Sequence, residues 1–82
     1  MDAIYQPGET LPNGAVVIAE RARVVLAVLP GNRTTPYASW FINADGMTVL
    51  GHYSGNLEEA AVDWTARVLR ERALAAQIAG AV

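Results

Sequence analysis

The stretch Phe41–Ala60, which reads FINADGMTVLGHYSGNLEEA, decides the fold of this chain. Its segment Asn43-Ala44-Asp45-Gly46 is typical of a type I turn followed by a left-handed glycine. Residues with β-branched or aromatic side chains flank that turn on both sides, a composition that favours strands. The stretch therefore predicts a β-hairpin with strands at 37–42 and 47–53.

The turn leaves two registers open. In the first register, one face of the hairpin carries two facing pairs, Phe41 with Val49 and Tyr37 with Tyr53. A slip of one residue, with Asp45-Gly46 as a two-residue turn, would instead place Ser39 opposite His52. In both registers each face is apolar or aromatic, so we expect one face to meet the helix and the other to have no obvious cover within this chain.

A helix follows the hairpin. Asn56-Leu57-Glu58-Glu59 has the form of a capping box, in which Asn56 accepts from the first turn and Glu59 reaches back. The helical pattern runs to Gly80, a residue type that often ends helices. Helical spacing predicts a core-facing stripe of Leu57, Ala61, Trp64, Val68 and Ala75. An adjacent apolar flank is predicted to contain Val62, Ala66, Leu69, Ala73 and Ala76. The solvent side is predicted to contain Glu59, Asp63, Arg67 and Arg70.

The first half of the chain predicts two more strands. Residues 1–14 are rich in proline and turn residues, and are predicted to be a loosely ordered lead-in to one domain at 15–82. Strands are favoured at 15–19 and 23–29, joined by a kink or irregular turn that lacks the glycine or asparagine of a tight hairpin. One long bent strand is the alternative. The predicted fold class is α+β: an antiparallel three- or four-stranded sheet followed by one long C-terminal helix, βββα or ββββα.

The composition indicates a surplus of apolar surface. At 82 residues the chain is one small domain, yet 52% of its residues are hydrophobic. One helix laid on one sheet hides only part of that surface, and a second apolar surface usually marks a partner. We therefore expect a homodimer or another protein partner, with an interface that contains Tyr37, Phe41, Val49, Tyr53 and Leu69.

Catalytic and metal chemistry have little support in the sequence. The chain has no cysteine and one histidine, too few ligands for zinc, so we expect no metal and no cofactor. His52 could act as a base with Ser39 in the slipped register, but a hydrolytic site also needs an orienting group and an oxyanion pocket. We expect His52 to pack on Ala38 or to bond the loop before the helix, and the protein not to be an enzyme.

A module that binds RNA or DNA is the alternative class. All six basic residues are arginine, and Arg21, Arg23 and Arg33 lie in or near the strands, where sheet aromatics could stack on bases. The formal net charge of −2 opposes this alternative, because phosphate contacts reward a basic face.

Two resemblances point to accessory proteins. The segment TVLGHYSGNLEEAAVDW, residues 48–64, resembles the strand–turn–helix signature of HicB-like antitoxins, matched here by Gly55, Leu57, Glu58, Glu59 and Ala60. The chain departs from that family in lacking a proline-glycine segment before the helix and in having strands before the hairpin. Residues 36–53, with PYASW, DGMT and GHY, are similar to small uncharacterised proteins of bacteria, phages and mobile elements. Both resemblances imply small proteins that bind other proteins, and neither carries over a catalytic residue.

The sequence thus predicts a small non-enzymatic protein that acts by binding a protein partner or itself, such as an inhibitor, an adaptor or an antitoxin-like factor. No signal peptide is visible in residues 1–14, and no apolar run approaches the roughly 20 residues of a membrane helix. Those two observations favour a cytoplasmic protein without membrane contact.

Overall fold

The computed structural model of the protein describes residues 5–80. The elements are β1 (Val16–Arg21), β2 (Val24–Val28), β3 (Tyr37–Ile42), β4 (Thr48–Ser54) and α1 (Leu57–Gly80). The four strands form one antiparallel sheet in the order β1-β2-β3-β4, and α1 packs against β2, β3 and β4. The predicted α+β class is therefore confirmed, in its four-stranded ββββα form.

The turn between β3 and β4 is the one that the sequence predicts. The amide of Gly46 donates to the carbonyl of Asn43, and Gly46 has a φ of 80°. The side-chain oxygen of Asn43 accepts from the amides of Asp45 and Met47, at 3.0 Å each. A residue with a side chain would be strained at this positive φ, so glycine is the favoured residue at position 46.

Both predicted registers occur in the β3–β4 hairpin, because a bulge separates them. Near the turn Phe41 faces Val49, and beyond the bulge Ser39 faces His52. Leu50 and Gly51 together lie opposite Trp40, so β4 holds one residue more than β3 at this point.

The bulge sends the predicted interface residues to two different faces. Tyr37, Phe41 and Val49 share the side of Ser39, which α1 covers. Tyr53 faces Ala38 on the opposite side, where its ring meets that of Trp40 edge to face at 5.8 Å. The expectation that these four residues share one face is therefore wrong, because it takes a single register for the whole hairpin.

β1 and β2 are two strands joined by a tight turn, where the sequence predicts a kink or an irregular turn. Ala22 and Arg23 both have a positive φ, 50° and 66°, as both central residues of a type I′ turn require. The Arg23 guanidinium donates to the carbonyls of Ile42 (2.8 Å) and Asn43, and the Arg23 carbonyl accepts from the amide of Ile42. These contacts with the end of β3 hold the turn in a conformation that its own residues disfavour.

The segment before β1 covers the face of the sheet opposite α1. Leu11 is only 2% exposed. The core cluster on this side contains Leu11, Ala15, Val17, Val25, Ala27, Ala38, Trp40 and Ile42, with Tyr5 and Leu29 packed against it. The second sheet face thus has a cover from within the chain, contrary to expectation. Residues 1–4 of the predicted lead-in lie outside the described residues.

The same segment also covers the outer edge of β1. The amide of Gly8 donates to the carbonyl of Val17 at 2.8 Å, and the amide of Val17 donates to the carbonyl of Glu9 at 2.9 Å. An unpaired strand edge can pair with another chain and cause aggregation, and these hydrogen bonds cover part of the β1 edge.

The helix begins with half of the predicted capping box. The Asn56 side chain accepts from the amide of Glu59 at 3.2 Å, as expected. The Glu59 carboxylate, however, accepts from the hydroxyl of Ser54 instead of reaching back to the Asn56 amide, which donates to that same hydroxyl. Ser54 therefore completes the cap.

Replacing Ala22 with glycine tests the strained turn. Because glycine adopts a positive φ without a steric penalty, we expect Ala22→Gly to raise the free energy of unfolding by about 1 kcal/mol in chemical denaturation. Ala44 lies in the other turn without a positive φ. The control Ala44→Gly should therefore lower the free energy of unfolding, by about 0.5 kcal/mol, through the added freedom of the unfolded chain. Equal effects of the two changes would contradict this account.

Truncating Leu11 tests the cover over the second face. We expect Leu11→Ala to lower the free energy of unfolding by about 2–4 kcal/mol, because the change leaves a cavity in a closed core. Met47 is exposed, and the control Met47→Ala should change the same quantity by no more than about 0.5 kcal/mol. A Leu11→Ala variant as stable as the control would show that the segment does not seal this face.

Candidate functional site

A polar cluster lies between the helix and the sheet. It consists of Ser39 on β3, His52 on β4, and Asp63 and Arg67 on α1. The Ser39 hydroxyl donates to Oδ2 of Asp63 at 2.9 Å, and Nδ1 of His52 lies 3.0 Å from the same oxygen. Arg67 Nη1 donates to both the hydroxyl and the carbonyl of Ser39, at 3.0 Å each.

Arg67 is the residue whose position differs most from the sequence prediction. Helical spacing places it on the solvent side, but it is only 7% exposed and reaches under the helix. Burial lowers the pKa of the Arg67 guanidinium, while the nearby charge of Asp63 acts in the opposite direction. The ionised side chain is tolerated there because its hydrogen bonds to Ser39 and the charge of Asp63 compensate the lost hydration.

The cluster contains a serine, a histidine and an aspartate, but not in the order of a hydrolytic triad. In a triad the hydroxyl donates to the imidazole, which in turn donates to the carboxylate. Here the Ser39 hydroxyl and the His52 ring both contact Asp63, and Ser39 is 1% exposed. This geometry fastens α1 to β3 and β4. Within residues 5–80 no group of three or more possible ligands is placed to hold a metal ion.

The core-facing side of α1 is rotated from the predicted stripe toward this cluster. Ala60 and Val68 are buried, and Trp64 Nε1 donates to the carbonyl of Val24 at 2.8 Å. Leu57 and Ala75, both predicted to face the core, are exposed. The polar contacts of Asp63 and Arg67 set this rotation, which a pattern of apolar residues does not reveal.

The opposite side of α1 carries an apolar surface without cover, which we call the outer stripe: Val62, Ala66, Leu69, Ala73 and Ala76. Val62 is 67% exposed and Leu69 is 60% exposed. Three residues of the outer stripe, Val62, Ala66 and Leu69, line a shallow groove along the helix. The other residues that line it are Glu58, Ala61 and Thr65. The apolar flank predicted from helical spacing is therefore present, and it points to solvent.

The helix also extends beyond the sheet. A helix of 24 residues is about 36 Å long, whereas strands of five to seven residues reach only about 17–24 Å. From Leu69 to Gln77 every residue except Glu71 is exposed. The Cα radius of gyration is accordingly 13.0 Å, compared with about 12 Å for a compact domain of this length.

The predicted interface residues are not brought together. Leu69 lies on the outer stripe, whereas Tyr53 is exposed on β4 of the sheet. Tyr37, Phe41 and Val49 are half-buried on the sheet face that meets α1. Of the five, only Leu69 and Tyr53 are well exposed.

The three arginines of the nucleic-acid alternative lie apart. Arg23 is bound to main-chain carbonyls at the β1–β2 turn. Arg21 is at the same end of the sheet, while Arg33 is in the loop between β2 and β3 at the opposite end. Within the described residues these three arginines do not share one surface. The nucleic-acid alternative stays a prediction.

Comparisons with known proteins give no further guide to function. No protein-family model, no curated protein and no solved structure matches the chain. The resemblance to HicB-like antitoxins therefore stays a prediction. Among the described residues, no helix combines the length and the apolar character that crossing a membrane requires.

Removing Arg67 tests the polar cluster. We expect Arg67→Ala to lower the free energy of unfolding by about 2–3 kcal/mol, because Ser39 and Asp63 lose a charged partner and the helix loses a packed stem. Arg70 is exposed one turn further along α1, so the control Arg70→Ala should have an effect within about 0.5 kcal/mol. If thermal and chemical denaturation gave the two variants equal stability, the cluster would not be holding the helix.

Proposed function

We propose that the protein is a small, non-enzymatic, cytoplasmic protein that functions by binding protein surfaces, and that it first binds itself. An inhibitor, an adaptor or an antitoxin-like accessory factor would all have this character. The observation that carries the proposal is the outer stripe, a row of apolar residues on the side of α1 that faces away from the sheet.

The position of the outer stripe supports a binding surface and not a set of scattered exposed side chains. Single exposed apolar side chains are normal, but a contiguous apolar surface on a soluble domain usually marks an interaction site. Here the exposed residues share one face of one helix and continue onto the part that extends beyond the sheet. A small domain also gains stability from association, which its limited core makes useful.

The polar cluster supports a non-enzymatic function. The Ser39 hydroxyl is buried and engaged with Asp63 and Arg67, so a substrate atom has no path to it in this arrangement. The same hydrogen bonds have a structural purpose, since they join the helix to the two strands that it covers.

Sedimentation velocity across a dilution series tests self-association. We expect the mass to rise from monomer to dimer with concentration, and Leu69→Gln to raise the dissociation constant by about tenfold or more, since each copy loses a buried leucine. Leu50 is exposed on β4 and is not part of the outer stripe, so the control Leu50→Gln should leave the constant unchanged. A chain that stays monomeric up to millimolar concentration would overturn the proposal.

A further inference from the structure

We infer that two copies of this chain pair through their outer stripes with the α1 helices antiparallel, so that Leu69 of each copy packs beside Ala66 of the other. This inference rests on the self-association proposed above and adds its surface, its orientation and its register.

The spacing of the outer stripe is that of a helix-pairing seam. Val62, Leu69 and Ala76 are seven residues apart, and Ala66 and Ala73 fall between them at the same interval. Alternating steps of four and three place such residues along one narrow line, which is the pattern that two helices bury when they cross at a small angle. The residues that face the sheet, such as Trp64 and Val68, lie on the other side of the helix.

The sizes of the side chains favour the antiparallel orientation. With the helices antiparallel, Leu69 lies beside Ala66 of the second copy, and Val62 lies beside Ala73 of the second copy. Each large residue then meets a small one, which allows close packing without voids. A parallel pair in register would set Leu69 against Leu69 and Ala66 against Ala66, which leaves alternating crowded and open layers.

The charges beside the stripe favour the same orientation. Glu58 and Arg72 lie fourteen residues apart on one flank of the stripe, and both are exposed. In the antiparallel pair, Glu58 of each copy lies on the same side as Arg72 of the other, about 8 Å apart along the axis. That distance is within reach of two long side chains, so two ion pairs favour this orientation. The opposed helix dipoles add to the preference.

The part of α1 beyond the sheet gains a partner in this arrangement. In an antiparallel pair, residues 69–76 of one copy lie along residues 59–66 of the other, where the second helix is fastened to its own sheet. The exposed end of each helix therefore rests on the firmly held start of the other.

Cross-linking at two matched positions tests the register. The chain has no cysteine, so a single introduced thiol reacts without background. In the inferred register, the two copies of residue 66 are offset along the axis by about 5 Å and those of residue 73 by about 16 Å. A short bismaleimide should therefore link Ala66→Cys to itself efficiently and Ala73→Cys at least tenfold more slowly. Circular dichroism would first show that both variants fold, as expected for exposed alanines.

The outcomes separate this inference from the proposed function. If the chain forms a dimer but Ala66→Cys does not link, the outer stripes are not paired in the inferred register, and the inference fails while self-association stands. If Ala73→Cys links as fast as Ala66→Cys, the helices are not paired in the inferred antiparallel register and the inference is wrong. If the chain is monomeric at every concentration, both fall together.

Reversing the charge at Glu58 in one variant and at Arg72 in another tests the inferred ion pairs independently of cross-linking. Glu58→Arg alone and Arg72→Glu alone should each weaken self-association by about threefold to tenfold, because two attractive pairs become repulsive. An equimolar mixture of the two variants should recover the association of the unchanged chain, since every pair between unlike copies is again attractive. Unchanged or tighter association of Glu58→Arg, or a mixture no tighter than either variant alone, would overturn the inference.

Discussion

One extra residue in β4 decides which side chains meet the helix. Leu50 and Gly51 together occupy the place opposite Trp40, so the alternation of faces shifts by one residue within a short strand. Without that shift, His52 would face Ala38 on the far side of the sheet and Asp63 would lose a partner. A Cβ atom on Gly51 would lie 2.6 Å from Nε1 of Trp40, so the ring fits only because position 51 has no side chain. The polar cluster and the packing of Tyr53 on Trp40 both depend on this bulge.

Features specified by neighbouring residues could be predicted from the sequence. The Asn43–Gly46 turn and the Asn56 cap form through hydrogen bonds within a few residues, and the outer stripe follows from the period of the helix. The bulge has one local signal in the sequence, Gly51, because a glycine inside a strand pattern often marks such an irregularity. That signal was compatible with either register alone, so the sequence could not show that both would occur.

Features specified by distant residues could not be predicted in the same way. Ala22 and Arg23 form a tight turn because the Arg23 side chain reaches carbonyls at the end of β3, about twenty residues away in the chain. Leu11 is a single apolar residue in a segment rich in proline and glycine, and no periodicity marks it as core. Arg67 has the sequence context of a surface residue, and the buried Ser39 and the charge of Asp63 together make an inward position favourable.

The two faces of the sheet are closed by segments from the two halves of the chain, and this has a consequence for synthesis on the ribosome. Leu11 leaves the ribosome before the strands on which it packs, so the face that it covers can close as soon as β3 has emerged. The face beneath α1 must wait for Trp64 and Val68, which are translated later. The order of synthesis therefore allows a stage in which one side of the sheet is sealed while Val24 and Leu26 are still exposed to solvent.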